Sequence, residues 1–261
     1  MKQFTQFTLI FVLFAIGIPC RAEEMSSQEI VAKCFTLYRQ TPSEREETQV
    51  TVIYEGGRTE QKAFTRWILF DPTGEDKVVI KFRKTDKNNL DEGLGLLISR
   101  HIGRKDDQWL KMPSLDKIRK IAIADSGKYF GGTDITFEDA RQLVGERTQD
   151  FDYKILQSGA EGWEIEALPK TGTESGYGKR IFSIQPDFAC TAVEYYDTRG
   201  ELLKKQENRG IETQANGMWR AKVVVVTSSL LKRTTELTVT AREFRNVDAS
   251  TFTQDFLLRK G

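Results

Sequence analysis

Residues 109–139 read WLKMPSLDKIRKIAIADSGKYFGGTDITFED and break into a chain that otherwise alternates apolar with polar. Two helix-like pieces flank the Phe130-Gly131-Gly132 turn. An apolar interruption between strands predicts a segment lying over a sheet, because a one-faced sheet must bury its apolar side.

On either side the period is two. Val50, Val52 and Tyr54 alternate with polar neighbours, and Gly56-Gly57 predicts a hairpin turn. Val78, Ile80 and Phe82 point one way, with Lys77, Val79 and Lys81 opposite. Beyond residue 139, Trp163 and Ile165 alternate with Glu164 and Glu166, Asn216-Gly217 is a strong hairpin signal, and Leu237, Val239 and Ala241 continue the pattern. The turns mark out roughly ten or eleven strands in one curved antiparallel sheet. Phe252–Leu258 is expected to pair along an edge or pack over it. Ser26-Ser27-Gln28-Glu29 forms a capping-box pattern before Ile30, Val31, Cys34, Phe35 and Tyr38, which recur at helical spacing. Helical cover is therefore expected at 26–40 and at 114–142. On residue types alone a packed core is favoured over a cavity beneath it.

Residues 1–22 read as a cleavable secretory leader: Lys2, an apolar run from Thr8 to Ile18, and small residues before a cut after Ala22. The run is shorter than the ~20 residues of a membrane span. Pro19 before Cys20 disfavours lipidation there. Residues 23–261 are expected to form one exported domain. The formal charge of +1, less Lys2 and Arg21, leaves a near-neutral chain and argues against nucleic-acid binding. Cys34 and Cys190 remain; in an oxidising compartment they form a disulfide, or both are small buried residues.

Little in the chain points to catalysis. His101 is the one histidine and sits in a strand-like run. There is no Gly-x-Ser-x-Gly elbow, no metal-ligand spacing, and no Lys-Ser/Thr after Gly131-Gly132 to make a phosphate loop. No catalytic residue, metal or cofactor is expected. Lys117, Arg119 and Lys120 read as a solvated helix face.

Trp109-Leu110-Lys111-Met112-Pro113, Lys117-Ile118-Arg119-Lys120-Ile121 and Tyr129-Phe130-Gly131-Gly132-Thr133-Asp134 before Phe137-Glu138-Asp139 together resemble the exported outer membrane lipoprotein-sorting protein group, bacterial relatives of the LolA/LolB carriers. That group has a Trp, a Pro soon after, basic–apolar alternation, and an aromatic-Met-Gly-Ser/Thr-Asp turn before an acidic helix start. Gly131 stands where Met is usual. Tyr195-Tyr196-Asp197 with Gly200, and Val247-Asp248 before Phe252 and Leu257, also look like the group.

The resemblance implies a mainly β fold: an incomplete, strongly curved antiparallel half-barrel with helices over its concave face. It implies a periplasmic, monomeric, non-enzymatic carrier of lipid or lipoprotein acyl chains toward the outer membrane, touching membranes transiently. The alternative is a non-carrying partner subunit of an inner-membrane export transporter. The lipid-binding residues expected on this basis are Trp67, Leu69, Ile80, Phe82, Leu96, Ile98, Trp109, Ile118, Ile121 and Phe130, with Gly131, Gly132 and Asp134 as the turn of a lid. No latch arginine is carried over from the classical carriers.

Overall fold

The computed structural model describes residues 25–259 apart from 87–89, 114, 116 and 142–144. The leader expected at 1–22 lies outside them. Helix α1 (Ser27–Tyr38) begins at the capping box, where Ser26 N–H donates to Glu29 Oε2 at 2.7 Å and Glu29 N–H to Ser26 Oγ at 3.3 Å. A meander follows: β1 (Ser43–Tyr54), β2 (Thr59–Leu69), β3 (Lys77–Arg83), β4 (Gly95–Ser99), β5 (Asp107–Lys111) and β6 (Ile118–Lys120). The chain then crosses to β7 (Phe151–Gly159) through the short helix α2 (Phe137–Arg141). It returns through β8 (Gly162–Pro169), β9 (Lys179–Ile184), β10 (Cys190–Tyr196) and β11 (Leu202–Arg209). After the small hairpin β12 (Glu212–Thr213) and β13 (Trp219–Arg220) come β14 (Val223–Ser228), β15 (Arg233–Phe244) and helix α3 (Gln254–Leu258).

Thirteen strands form one antiparallel sheet in the order β6-β5-β4-β3-β2-β1-β15-β14-β11-β10-β9-β8-β7. The first and last long strands pair at its centre, Val50 opposite Leu237. The two strands that flank the crossing segment, β6 and β7, are therefore the two outer edges. The sheet curves without closing, and the segment that connects its two rims packs over the concave face through Ile121, Phe130, Phe137 and Ala140.

Register sorts the apolar side chains. Phe64 lies opposite Phe82, Ile80 opposite Leu96 and Leu96 opposite Leu110, all on the concave face. There they pack with Ile121, Phe130 and Phe137 of the crossing segment. The other half of that face packs Phe182, Cys190 and Val193 against Ile30, Val31, Cys34 and Leu37 of α1. Trp219 fastens the helix, donating Nε1–H to the Cys34 carbonyl at 3.0 Å.

The convex face is apolar too. Trp67, Val79, Leu97 and Trp109 form one row across β2–β5. The C-terminal segment covers it with Phe252, Phe256 and Leu257. Phe252–Leu258 thus packs over a face rather than along an edge. Leu257→Ala is expected to cost about 2–5 kcal/mol. A urea melt reads it as a lower midpoint, with concave-face binding unchanged.

The described residues between 115 and 141 are mostly not helical. Trp109 belongs to β5, Ile118–Lys120 is an edge strand rather than a helix face, and among the described residues here only Phe137–Arg141 is α-helix. Paired backbone of β5 and β6, Trp109 against Lys120, overrides the local helix-like spacing.

Candidate functional site

The crossing segment is pinned where it passes the central strands. Asp134 is wholly buried. Its carboxylate accepts from Arg233 Nε at 2.9 Å and Thr235 Oγ1 at 2.7 Å, and its own N–H donates to Thr235 Oγ1 at 3.0 Å. Arg233 Nη2 donates to the Thr133 carbonyl at 2.7 Å, and Lys204 Nζ to the Asp134 carbonyl at 3.1 Å. Lys204 also ion-pairs with Asp139, which accepts from Tyr177 Oη at 2.8 Å. Glu138 accepts from Ser175 Oγ at 2.6 Å and Gly176 N–H at 2.7 Å. The acidic run does start α2, and it is also a set of polar latches onto β11, β15 and the loop before β9. Sequence reasoning found Asp134 but not Arg233, Thr235 or Lys204, which lie 70–101 residues away.

The turn seats on Phe82. Gly131 has φ +61°, and a Cβ there would lie 2.6 Å from Phe82 Cζ. Phe130 meets Phe82 edge-on at 5.5 Å between ring centroids. The departure from Met at this position has a steric reason: the Phe82 ring occupies the space that a side chain would need.

Between the latched segment, α1 and the sheet lies a cavity of about 170 Å³. Phe64, Ile80, Phe82 and Phe130 line one side, Phe35, Phe182, Val193 and Tyr195 the other, with Thr48, Leu237 and Val239 between. Of the ten residues expected to bind lipid, Ile80, Phe82 and Phe130 line this space. Leu96, Ile98 and Ile121 are buried in the packed cluster beside it. Trp67, Leu69, Trp109 and Ile118 are on the convex face under the C-terminal segment, so the ten do not make one pocket. A ligand pocket usually measures about 300–1,000 Å³. At about 170 Å³ the cavity is nearer the ~150 Å³ that holds benzene. Admitting a whole acyl chain requires the latched segment to move.

Charged residues stand at one end of the cavity. Glu44 and Glu46 are almost wholly buried on β1. Arg220 pairs with Glu44, while Arg66 and Arg242 pair with Glu46. Arg220 also donates Nη1–H to the Tyr38 carbonyl at 2.6 Å, capping the end of α1. Burial, with the neighbouring Glu46, raises the Glu44 carboxyl. Burial would raise Glu46 as well, but Arg66 and Arg242 outweigh it and hold it low.

Cys34 and Cys190 share one core cluster with both thiols free. Burial pushes the Cys190 thiol up to about 12 from an ordinary 9.0. Burial, then Cys190, pushes Cys34 well above the usual range. Between 9.0 and about 12 the unfolded thiol is ionised and the folded one is protonated. The unfolded state then binds fewer protons, so stability falls as pH rises through that window. Tyr177 and Tyr195, raised chiefly by burial, act in the same sense from the ordinary tyrosine value upward. Urea midpoints are expected to drop from about pH 8 to about pH 10. A thiol reagent at about pH 8 should react with both cysteines only after unfolding.

His101 is half-buried outside the cavity, its Nε2 3.1 Å from Asp107 Oδ2. No cluster of metal-ligating side chains occurs among the described residues. No helix among them is long and apolar enough to cross a membrane.

An unclosed antiparallel half-barrel, strapped from rim to rim over an apolar cavity, is the LolA-like architecture. The structure is similar to a proposed outer membrane lipoprotein-sorting protein domain from Vibrio parahaemolyticus, with TM-score 0.79 and 21% identity over 89% of this chain and 98% of that one. A DUF1329 family protein from Desulfovibrio piger gives 0.79 and 19% over 88% and 97%. A LolA superfamily protein from Nitrosomonas europaea gives 0.67 and 14% over 89% and 99%. The chain belongs to the family whose model matches residues 74–259, described as "uncharacterized protein". No curated protein matches it in sequence.

Proposed function

We propose that this protein is an exported periplasmic carrier that shelters an acyl chain of a lipid or lipoprotein beneath the 121–141 lid on its way toward the outer membrane. The observation that carries the reading is the roof of the cavity: an apolar space under a segment held by polar contacts at Asp134, Glu138 and Asp139 and by packing at Phe130 and Phe137. Such contacts exchange with water at little net cost, and the apolar surface that Phe130 and Phe137 would leave can be covered by the acyl chain itself. The energetics fit. A long acyl chain leaving water gains on the order of 10 kcal/mol, and the bilayer offers the same gain. A carrier must therefore match the membrane rather than exceed it, and a small cavity that expands against its own latches does so.

Transient membrane contact is supported at one rim. Met112, Leu115, Leu230 and Leu231 are exposed on turns at the end of the strands where Asp134 is latched. The test is solvent extraction of the freshly purified protein followed by lipid mass spectrometry, with displacement of a neutral fluorescent naphthylamine by oleyl alcohol. Stoichiometric lipid or saturable displacement is expected. A lipid-free protein that displaces nothing, and still captures an inner-membrane transporter, would establish the non-carrying partner reading instead.

A further inference from the structure

The charged end of the cavity does not balance. Three guanidinium groups, from Arg66, Arg220 and Arg242, meet two carboxylates, those of Glu44 and Glu46. The other carboxylates lining the cavity, Asp139 and Glu146, are matched by Lys204 and Arg180. Arg220 gives Nε and Nη2 to Glu44 Oε2 at 2.9 and 2.7 Å and Nη1 to two carbonyls. Arg242 adds a bond from Nη2 to the Ala221 carbonyl. Arg66 differs. Its side chain is 10% exposed, its Nη2 bonds Glu46, and its Nε is buried with no partner. Glu44 Oε1, 3.5 Å from Arg66 Nη2, accepts no hydrogen bond. A buried guanidinium in excess, with a free donor, is costly unless something completes it.

We infer that Arg66 anchors an oxyanion carried at one end of the acyl ligand, so that the cargo class is an anionic amphiphile rather than a neutral one. This rests on the acyl-carrier reading above. The geometry gives the ligand a direction. Arg66 lies opposite Glu46, and the Asp134 latch bonds Thr235, opposite Val52. Six residues of strand separate the two ends, about 20 Å, against about 15 Å for one bilayer leaflet's hydrocarbon. Thr48, Phe64, Leu237 and Val239 line the way between them.

The test is competition. Neutral N-phenyl-1-naphthylamine bound to the full mature chain is displaced by oleate or oleyl alcohol, and in parallel by dioleoyl phosphatidate or dioleoylglycerol. The anionic member of at least one pair is expected to compete about tenfold or more better, the range of a charge-assisted hydrogen bond. Preference in the first pair alone assigns a fatty acid carboxylate; in the second alone, a phospholipid phosphate. In Arg66→Gln the ratio should collapse to about twofold or less, and Arg66→Lys should retain part of it. Arg66→Gln leaves Glu44 with Arg220 and Glu46 with Arg242, so each carboxylate keeps a partner. Should the variant not fold, the wild-type pairs still decide. Equal competition within both pairs, or a ratio untouched by Arg66→Gln, overturns the anchor and leaves the carrier standing. Displacement by none of the four removes both.

Discussion

Asp134→Ala is expected to lower the melting temperature by on the order of 10 °C and to speed the uptake of an acyl probe. The carboxylate is wholly buried and bonds Arg233 and Thr235 together. Removing one partner of a buried ion pair costs about 3–5 kcal/mol. For a chain of this size each kcal/mol moves the midpoint by about 2–4 °C. Arg233 keeps its bond to the Thr133 carbonyl, so the segment loosens rather than detaches. Asp134→Asn, which keeps the shape and loses the charge, should fall between. Calorimetry reads the first effect and stopped-flow probe uptake the second. A lowered midpoint with unchanged uptake would show that the segment is not the gate.

Phe82→Ala carries the other large effect, a loss of about 3–5 kcal/mol. Phe82 is 4% exposed, lies 5.5 Å from both Phe64 and Phe130, and fills the space above Gly131. Truncation widens the cavity directly under the lid turn, so bulkier probes should enter while the fold weakens. Gly131→Met alone should destabilise the protein, because the new side chain meets the ring and the backbone there has φ +61°. In the Phe82→Ala background the methionine finds vacated space and should recover part of the loss. Two residues in contact are expected to be non-additive in this way. Strictly additive urea midpoints would refute the seating of the turn on Phe82.

Local features were legible in the sequence. The capping box at Ser26, the Gly56-Gly57 and Asn216-Gly217 turns, and the alternation in β3 are decided by neighbours a few residues apart. The half-barrel and its lid turn came through the resemblance. Other features were hidden because they depend on distant partners. Glu44 and Glu46 belong to no sequence motif, because the arginines that converge on them come from β2, β13 and β15. Trp67, Leu69, Trp109 and Ile118 resemble cavity residues because the sheet is apolar on both faces there. The C-terminal cover on one face and the crossing segment on the other distinguish convex from concave. The short β6 reads as helix because three residues carry no period, and its partner in β5 settles its conformation.

The run between β6 and β7 is strung from one outer strand to the other, as a bowstring joins the tips of a bow. On the carrier reading proposed above, cargo that widened the trough would push the tips apart and draw the string taut. The load falls on the tie between Asp134 and Arg233 near its middle. Filling and opening are then not separate events: a swollen interior strains the fastening that holds it shut, so the fuller the trough, the closer it stands to letting go.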